Sequence, residues 1–170
     1  MKKIMGIDLG LNGALCSMIN TDDYKLYEMP IIKIGKKKDI DLQKLIDILK
    51  KEKPDIVIFE EINNIYKVAK NTMFSLGKQY GYIKAICTAM NISYYSIEPK
   101  KWQKILIDVP RSNIQGNYKE TFFKSISLLH MILDTNKINK DFKVKTKYHD
   151  GKVDAYMLAY YYYVTINKLK

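Results

Sequence analysis

The chain has 170 residues, 47% of them hydrophobic, and a formal net charge of +11 from 29 basic and 18 acidic residues. This length suits one domain with a proper core, so we predict a single domain over residues 1–170. No apolar run reaches the roughly 18 residues of a membrane-spanning helix, which argues against a membrane protein. The positive charge favours a polyanionic partner, most often nucleic acid, over the alternative of a lysine-rich surface without a ligand.

Cysteine, histidine and arginine usage narrow the class further. Cys16 and Cys87 show no CxxC spacing, so we predict that both are reduced and buried and that the protein is cytoplasmic. His130 and His149 are the only histidines, too few for a structural zinc site. Arg111 is the only arginine, and lysine lacks the rigid fork that reads guanine edges. We therefore expect recognition of nucleic-acid backbone and shape.

The first half of the chain is predicted to form three strands, a helix and a fourth strand. The three strands are "KKIMGIDLG", "ALCSMINT" and "YKLYEMP", the last ending at Pro30. The segment "KIGKKKD" is predicted to be a basic loop. Leucine and isoleucine at helical spacing over 42–49 predict a helix capped by Asp39 or Asp41. The segment "DIVIFEE" is a continuous apolar strand, as expected when both faces of a sheet are covered.

The second half is predicted to be mainly helical. A long helix is expected from about Ala69 to Met90, then the strand "ISYYSIEP" and a helix opened by Pro99. A loop, an amphipathic helix over "YKETFFKSISLLHMIL" and a polar connector, "DTNKINKDFKVKTK", lead to a last helix from near Asp150 to about Ile166. This order predicts an α/β fold, a mixed five-stranded sheet with helices on both faces, which is the order of the ribonuclease H-like fold.

Four carboxylates stand where chemistry could use them. Asp8 and Glu60 end the first and fourth predicted strands, which could be adjacent and so bring the two acids together, and Asp150 and Asp154 lie one turn apart on the last helix. Clustered carboxylates suit Mg²⁺ or Mn²⁺, and two such ions about 4 Å apart would activate a water and stabilise the departing oxygen in phosphodiester hydrolysis. The alternatives are a solvent-exposed acidic strand end and acids that favour a helix dipole. His149 is more often a cap than a ligand.

Five motifs, in order, resemble the RuvC-like Holliday junction resolvases, especially the compact phage and prophage type. They are "MGIDLGLNGA", "IVIFEEI", "NTMFSLGKQYGYIKAI", "SIEPKKWQK" and "HDGKVDAYMLAYYY". The chain departs from the family pattern at Gln103, which follows Trp102, and in the spacing of four between the last two acids. The loop "EINNIYKVAKN" also lacks the Pro and Gly of many phage relatives.

The resemblance implies a homodimeric, Mg²⁺-dependent endonuclease of DNA recombination and repair that nicks two opposed strands of a four-way junction. It makes Asp8, Glu60, Asp150 and Asp154 the catalytic and metal-binding residues, with His149 a further candidate ligand. It also implies two ions per active site, Mn²⁺ substituting for Mg²⁺. If the chain is phage- or virus-encoded, it would act in the cytoplasm of a host cell.

Basic and glycine-bearing segments add candidate contacts. Candidate DNA-backbone ligands are Lys67, Lys70, Lys78, Lys100, Lys101, Lys104 and Lys119, each with the alternative of a solvated surface lysine, and Tyr66 could stack on a base. Gly77 and Gly81, with Met73, Phe74 and Tyr80, could form a dimer seam or pack closely on the chain's own sheet. Trp102 is expected in the core.

Three rival functions stay open on the sequence. Another nuclease of the same fold could cut RNA–DNA hybrids, flaps or other branched DNA with the same acids. A non-catalytic junction-binding protein is the second rival. The third, an actin-like ATP-binding domain, is suggested by "GIDLG" but opposed by the lack of a second glycine-rich loop.

Overall fold

The sheet of this computed structural model, which describes residues 2–62, 69–108 and 118–168, has five strands and helices on both faces. The strands of the main sheet are β1 (Ile4–Asp8), β2 (Ala14–Met18), β3 (Tyr24–Glu28), β6 (Ile56–Glu60) and β7 (Ser93–Ile97). Two small hairpins add β4 (Ile31–Ile34) with β5 (Lys37–Ile40) and β8 (Lys143–Val144) with β9 (Lys147–Tyr148). The helices are α1 (Leu42–Glu52), α2 (Lys70–Ala89), α3 (Pro99–Ile107), α4 (Tyr118–Ile132), α5 (Thr135–Asp141) and α6 (Asp150–Lys168).

The main sheet has the order β3-β2-β1-β6-β7 and is mixed, as predicted. β1 pairs with β2, and β2 with β3, in antiparallel hairpins. β1 and β6 are parallel neighbours, and so are β6 and β7. The central position of β1 beside β6 places the ends of these two strands, Asp8 and Glu60, side by side.

Two apolar cores cover the two faces of the sheet. Met5, Ile7, Val57 and Phe59 face a core shared with α1 and α2. The alternate residues of the same strands face a second core shared with α3, α4, α5 and α6. Continuous apolar strands such as β6 follow directly from burial on both sides. Cys16 and Cys87 are buried and unpaired in these cores, as predicted.

Two segments predicted as irregular are ordered. The basic segment after Pro30 forms the β4–β5 hairpin, because Gly35 at φ 62° permits a two-residue turn with Lys36. The polar connector contains α5, capped by Asp134, and the β8–β9 hairpin. Frequent lysines in both segments give the sequence the polar composition of a loop. None of the helices in the described ranges is long and apolar enough to cross a bilayer.

Glu52 ties the end of α1 to the sheet. Its buried carboxylate pairs with Lys3 at 2.7 Å and accepts hydrogen bonds from Ser17 and Tyr27. Burial alone would raise the pKa of Glu52, but the hydrogen bonds from Lys3, Tyr27 and Ser17 outweigh it and hold the pKa at about 2. This anchor lies near the start of β1, at the end of the sheet away from Asp8.

Candidate active site

The strand register brings Asp8 and Glu60 together. Asp8 is the last residue of β1 and Glu60 the last residue of β6, and Ile7 pairs with Phe59 just before them. Side chains alternate along a strand, so both carboxylates point to the face that α6 covers. The sequence predicted this adjacency from the two strand ends, and the structure confirms the strand pairing.

The last helix reaches these strands because two glycines remove the side chains that would hold it away. A Cβ at Gly6 of β1 would lie 2.1 Å from the Ala155 carbonyl oxygen of α6. At Gly151, a Cβ would lie 2.8 Å from the Gly13 Cα in the turn after β1. No other residue fits at either position without moving backbone. The backbone of α6 therefore lies directly on β1 and its following turn.

This contact sets Asp150 and Asp154 beside the two strand-end carboxylates. Asp154 is partly buried on the second turn of α6, whereas Asp150 is exposed at its first residue. Burial raises the pKa of Asp154 well above its usual value, and the charges of Asp8, Glu60 and Asp150 raise it further. The other three carboxylates therefore lie within electrostatic reach of Asp154.

Burial also acts on Asp8 and Glu60, and repulsion adds to it at Asp8. Burial, followed by the charges of Glu60 and Asp150, raises the pKa of Asp8 to about 8. Burial also raises the pKa of Glu60, while a hydrogen bond from Trp102 opposes that rise. In the absence of a metal ion, burial and repulsion therefore favour the protonated form of Asp8.

No cation in the described ranges offsets this cluster. Lys152, on the first turn of α6, pairs instead with Glu28 at 3.4 Å, and none of the described lysines lies within ion-pair distance of the four acids. Across 2–62, 69–108 and 118–168, no three His, Cys, Asp or Glu side chains are placed so that they could already hold a metal ion. The donor chemistry nevertheless fits a hard divalent cation, which takes carboxylate oxygens and would relieve their repulsion.

By sequence, the chain matches no protein-family model and no curated protein. By structure, it is similar to T. thermophilus RuvC in complex with a Holliday junction, with a TM-score of 0.62 over 99% of this chain and 96% of that chain at 13% identity. A Fowlpox virus resolvase bound to Holliday junction DNA gives 0.56, covering 96% and 98% at 18% identity. The yeast mitochondrial Holliday junction resolvase gives 0.55, covering 95% and 77% at 13% identity.

The chain has the RuvC-type resolvase fold. At these identities the likeness establishes the fold alone. The predicted ribonuclease H-like arrangement, a mixed five-stranded sheet between helices, is confirmed.

His149 has a structural task at the edge of this site. Its ring Nδ1 accepts a hydrogen bond from the Lys152 backbone N–H at 3.2 Å, and its carbonyl accepts from Val153. His149 therefore caps the N-terminus of α6 and sets the start of the helix that carries both aspartates. This is the cap role weighed in the sequence; a role as metal ligand stays a prediction.

Trp102 is a site residue that sequence reasoning assigned only to the core. It is buried, as expected, but its indole Nε1–H also donates a 2.8 Å hydrogen bond to Glu60 Oε1. α3 begins just after β7, whose last residue Ile97 pairs with Glu60, so the tryptophan reaches the carboxylate across one strand. A buried tryptophan usually finds a partner for its N–H, which was the available signal.

The predicted DNA-binding residues differ in their surroundings, and some lie outside the described part of the chain. Tyr66 and Lys67 lie outside the described residues, as does the side chain of Lys119 on α4. Lys70 is exposed at the first residue of α2, and Lys78 pairs with Asp39 of β5 at 2.5 Å. The exposed lysines of α3 are Lys100, Lys101 and Lys104. Because α3 follows β7 at the end where Glu60 lies, these three share the active-site end of the sheet.

The raised pKa of Asp8 predicts how stability depends on pH in metal-free protein. An acid whose pKa rises from 3.8 to about 8 on folding makes the folded state lose stability as pH increases between those values. Asp8→Asn removes that loss, so at pH 8 with chelator we expect a melting temperature at least about 4 °C above wild type, roughly 1–2 kcal/mol.

The matched control for this measurement is Asp47→Asn, which removes an exposed carboxylate of α1. We expect the gain of Asp8→Asn to shrink toward pH 4, and the control to show no comparable change with pH. An Asp8→Asn protein that melts at or below wild type at pH 8 would contradict the repulsive cluster.

Proposed function

We propose that the protein is a divalent-metal-dependent endonuclease that resolves four-way DNA junctions by paired, symmetric nicks. One observation supports this proposal: Asp8, Glu60 and Asp150 lie within electrostatic reach of Asp154, at one end of a sheet with the fold of RuvC. A net charge of +11 suits a nucleic-acid substrate. Two of the structures with this fold are complexes with Holliday junction DNA, which favours a branched substrate.

Each carboxylate has a distinct task in this proposal. Asp8, Glu60 and Asp154 would hold Mg²⁺ from partly buried positions, and exposed Asp150 would complete the ligand set at the mouth. Mg²⁺, or Mn²⁺ in its place, bound as two ions, would supply an activated water and charge stabilisation for phosphodiester hydrolysis. Because the raised pKa of Asp8 favours its protonated form without metal, binding of a cation there would be coupled to release of a proton.

Trp102 acts as a positioning residue. Its hydrogen bond fixes one oxygen of Glu60 and favours the ionised form of that carboxylate, against the effect of burial. A buried carboxylate without this donor would be both less well oriented and harder to ionise. The remaining Glu60 oxygen is then free to face a cation.

The second half of the task is symmetry. A four-way junction has approximate two-fold symmetry, so two active sites related by a two-fold axis can cut opposed strands. A Cβ at Gly77 or Gly81 would meet no atom of the described residues within 4 Å, and Phe74 on the preceding turn is 75% exposed. Close packing on the chain's own sheet, one of the two alternatives from the sequence, is thus contradicted at the two glycines, whereas Tyr80 does pack edge-on against Phe59 of β6. The open face of α2 supports a homodimer.

The deciding experiment compares labelled substrates with Mg²⁺: an immobile four-way DNA junction, linear duplex, a flap and an RNA–DNA hybrid. We expect paired symmetric nicks in the junction alone. Asp8→Asn, Glu60→Gln and Asp154→Asn should each lower the cutting rate by at least about 10²-fold, as loss of a charge-stabilising group does, while junction binding persists. Asp47→Asn should cut as wild type does.

Each other outcome of this comparison points to a named alternative. If the protein cuts the RNA–DNA hybrid and does not cut the junction, it is a ribonuclease H. Tight junction binding without cutting in any divalent ion would make it a binding protein. Single, unpaired nicks would contradict the homodimer.

Trp102→Phe tests the positioning role. The phenyl ring keeps most of the buried apolar volume but cannot donate to Glu60. We expect the cutting rate to fall about tenfold, the usual effect of losing a hydrogen bond to a charged group. Because the pKa of Glu60 rises without its donor, the acid limb of the pH–rate profile should move to higher pH.

A purely structural role for Trp102 would lower thermal stability and leave the pH profile where it is. The profile, rather than the rate alone, therefore separates positioning of Glu60 from packing.

A further inference from the structure

We infer that the β4–β5 hairpin is a second DNA-binding surface, which holds the phosphate backbone of a DNA arm at the active-site end of the sheet. The inference deepens the proposed function and rests on it. It concerns residues 31–40, of which the sequence predicted 33–39 as a loop and which none of the proposed catalytic steps uses.

The hairpin leaves the sheet at the same end as the carboxylates. Glu28, the last residue of β3, pairs with Ala14 of β2, and Ala14 pairs with Asp8 of β1. The chain then passes Met29, which is buried and donates its backbone N–H to the Gly13 carbonyl at 3.0 Å. Since Gly13 also contacts the start of α6, the root of the hairpin and the aspartate-bearing helix share one support.

The charge on this hairpin has no partner within the described part of the chain. Its exposed residues from 33 to 38 include four lysines, and no residue from 29 to 38 is acidic. No ion pair or side-chain hydrogen bond joins these lysines to another described residue. The four lysines are Lys33, Lys36, Lys37 and Lys38.

Two of these lysines oppose folding of the hairpin. Lys33 of β4 lies directly across from Lys38 of β5, and like charges facing each other across a ladder destabilise it. An arrangement that costs stability in the free protein is explained if a polyanion offsets the repulsion on binding. A phosphate backbone presents negative charge at a spacing that several lysines can meet at once.

The base of the hairpin is fixed although its tip is free. Ile40 is buried in the core that α1 and α2 share with the sheet, and the Asp41 N–H donates to the Pro30 carbonyl at 2.9 Å. Asp39 pairs with Lys78 of α2, which ties the second strand to the neighbouring helix. Lysines on an ordered arm lose less freedom on binding than lysines on a mobile tail. Lys78, one of the predicted DNA ligands, thus serves as a brace for the hairpin.

The strand order places the carboxylates between two basic elements. The hairpin follows β3 at one edge of the sheet, and α3 with its exposed lysines follows β7 at the other edge. Asp8 and Glu60 end the strands in between, at the same end. A DNA arm held by the hairpin on one side would complement backbone contacts from α3 on the other.

The test compares two double variants of equal charge. Lys36→Gln with Lys38→Gln alters the hairpin. Lys50→Gln with Lys53→Gln alters exposed residues at the far end of α1, near the start of β1. Binding of a fluorescent four-way junction is measured without divalent ions from about 50 to 200 mM salt.

The hairpin variant should bind about tenfold more weakly, and its log–log salt slope should fall in magnitude by about 2, one unit for each lost phosphate contact. The control should bind within about twofold of wild type. The melting temperature of the hairpin variant should equal or exceed that of wild type, because the repulsion between Lys33 and Lys38 is gone.

The other outcomes distinguish this inference from the proposed function. If the hairpin variant binds the junction as tightly as wild type, or if both variants lose the same affinity, the hairpin is not a DNA-binding surface. The nuclease proposal would be unaffected by either result. A wild-type protein that binds no junction at any salt concentration would overturn both.

Discussion

The close approach of α6 to β1 is the constraint on which the site depends. A helix and a sheet normally stay apart by the depth of the side chains between them. Here Gly6 removes that layer at the centre of β1, and Gly151 does the same at the turn that follows. Asp154 and Asp150 are thereby brought to the ends of two strands that already carry Asp8 and Glu60. A side chain at Gly6 would lift the helix and disperse the cluster.

Bringing these acids together costs the metal-free protein stability. Burial raises the pKa of Asp8, Glu60 and Asp154, repulsion raises those of Asp8 and Asp154 further, and none of the described lysines pairs with the cluster. The hairpin shows the same conflict with the opposite sign, since Lys33 faces Lys38. Both conflicts are relieved if a divalent cation enters the acidic cluster and a DNA backbone covers the basic surface. Sites that break the usual rules of folding in this way are commonly functional.

Much of this arrangement could be predicted from the sequence, for identifiable reasons. Apolar runs that end in Asp8 and Glu60 are strong strand signals, and a parallel pair sets such ends side by side. The contact at Gly6 could not be foreseen, because it depends on which residues of α6 lie opposite. The bond from Trp102 to Glu60 joins residues far apart in sequence. The β4–β5 hairpin was predicted as a loop because four of the six residues from 33 to 38 are lysines. Of its isoleucines, only Ile40 is fully buried.

Proton release on ion binding tests the central claim most directly. Titration calorimetry of Mn²⁺ into wild-type protein at pH 7, in two buffers of different ionisation enthalpy, reports the protons released per bound ion. Because the pKa of Asp8 is near 8 and that of Asp154 is also raised, we predict net release of at least about one proton, and less release from Asp8→Asn. Binding without proton release, or equal release from both proteins, would contradict a cluster of repelling, partly protonated carboxylates.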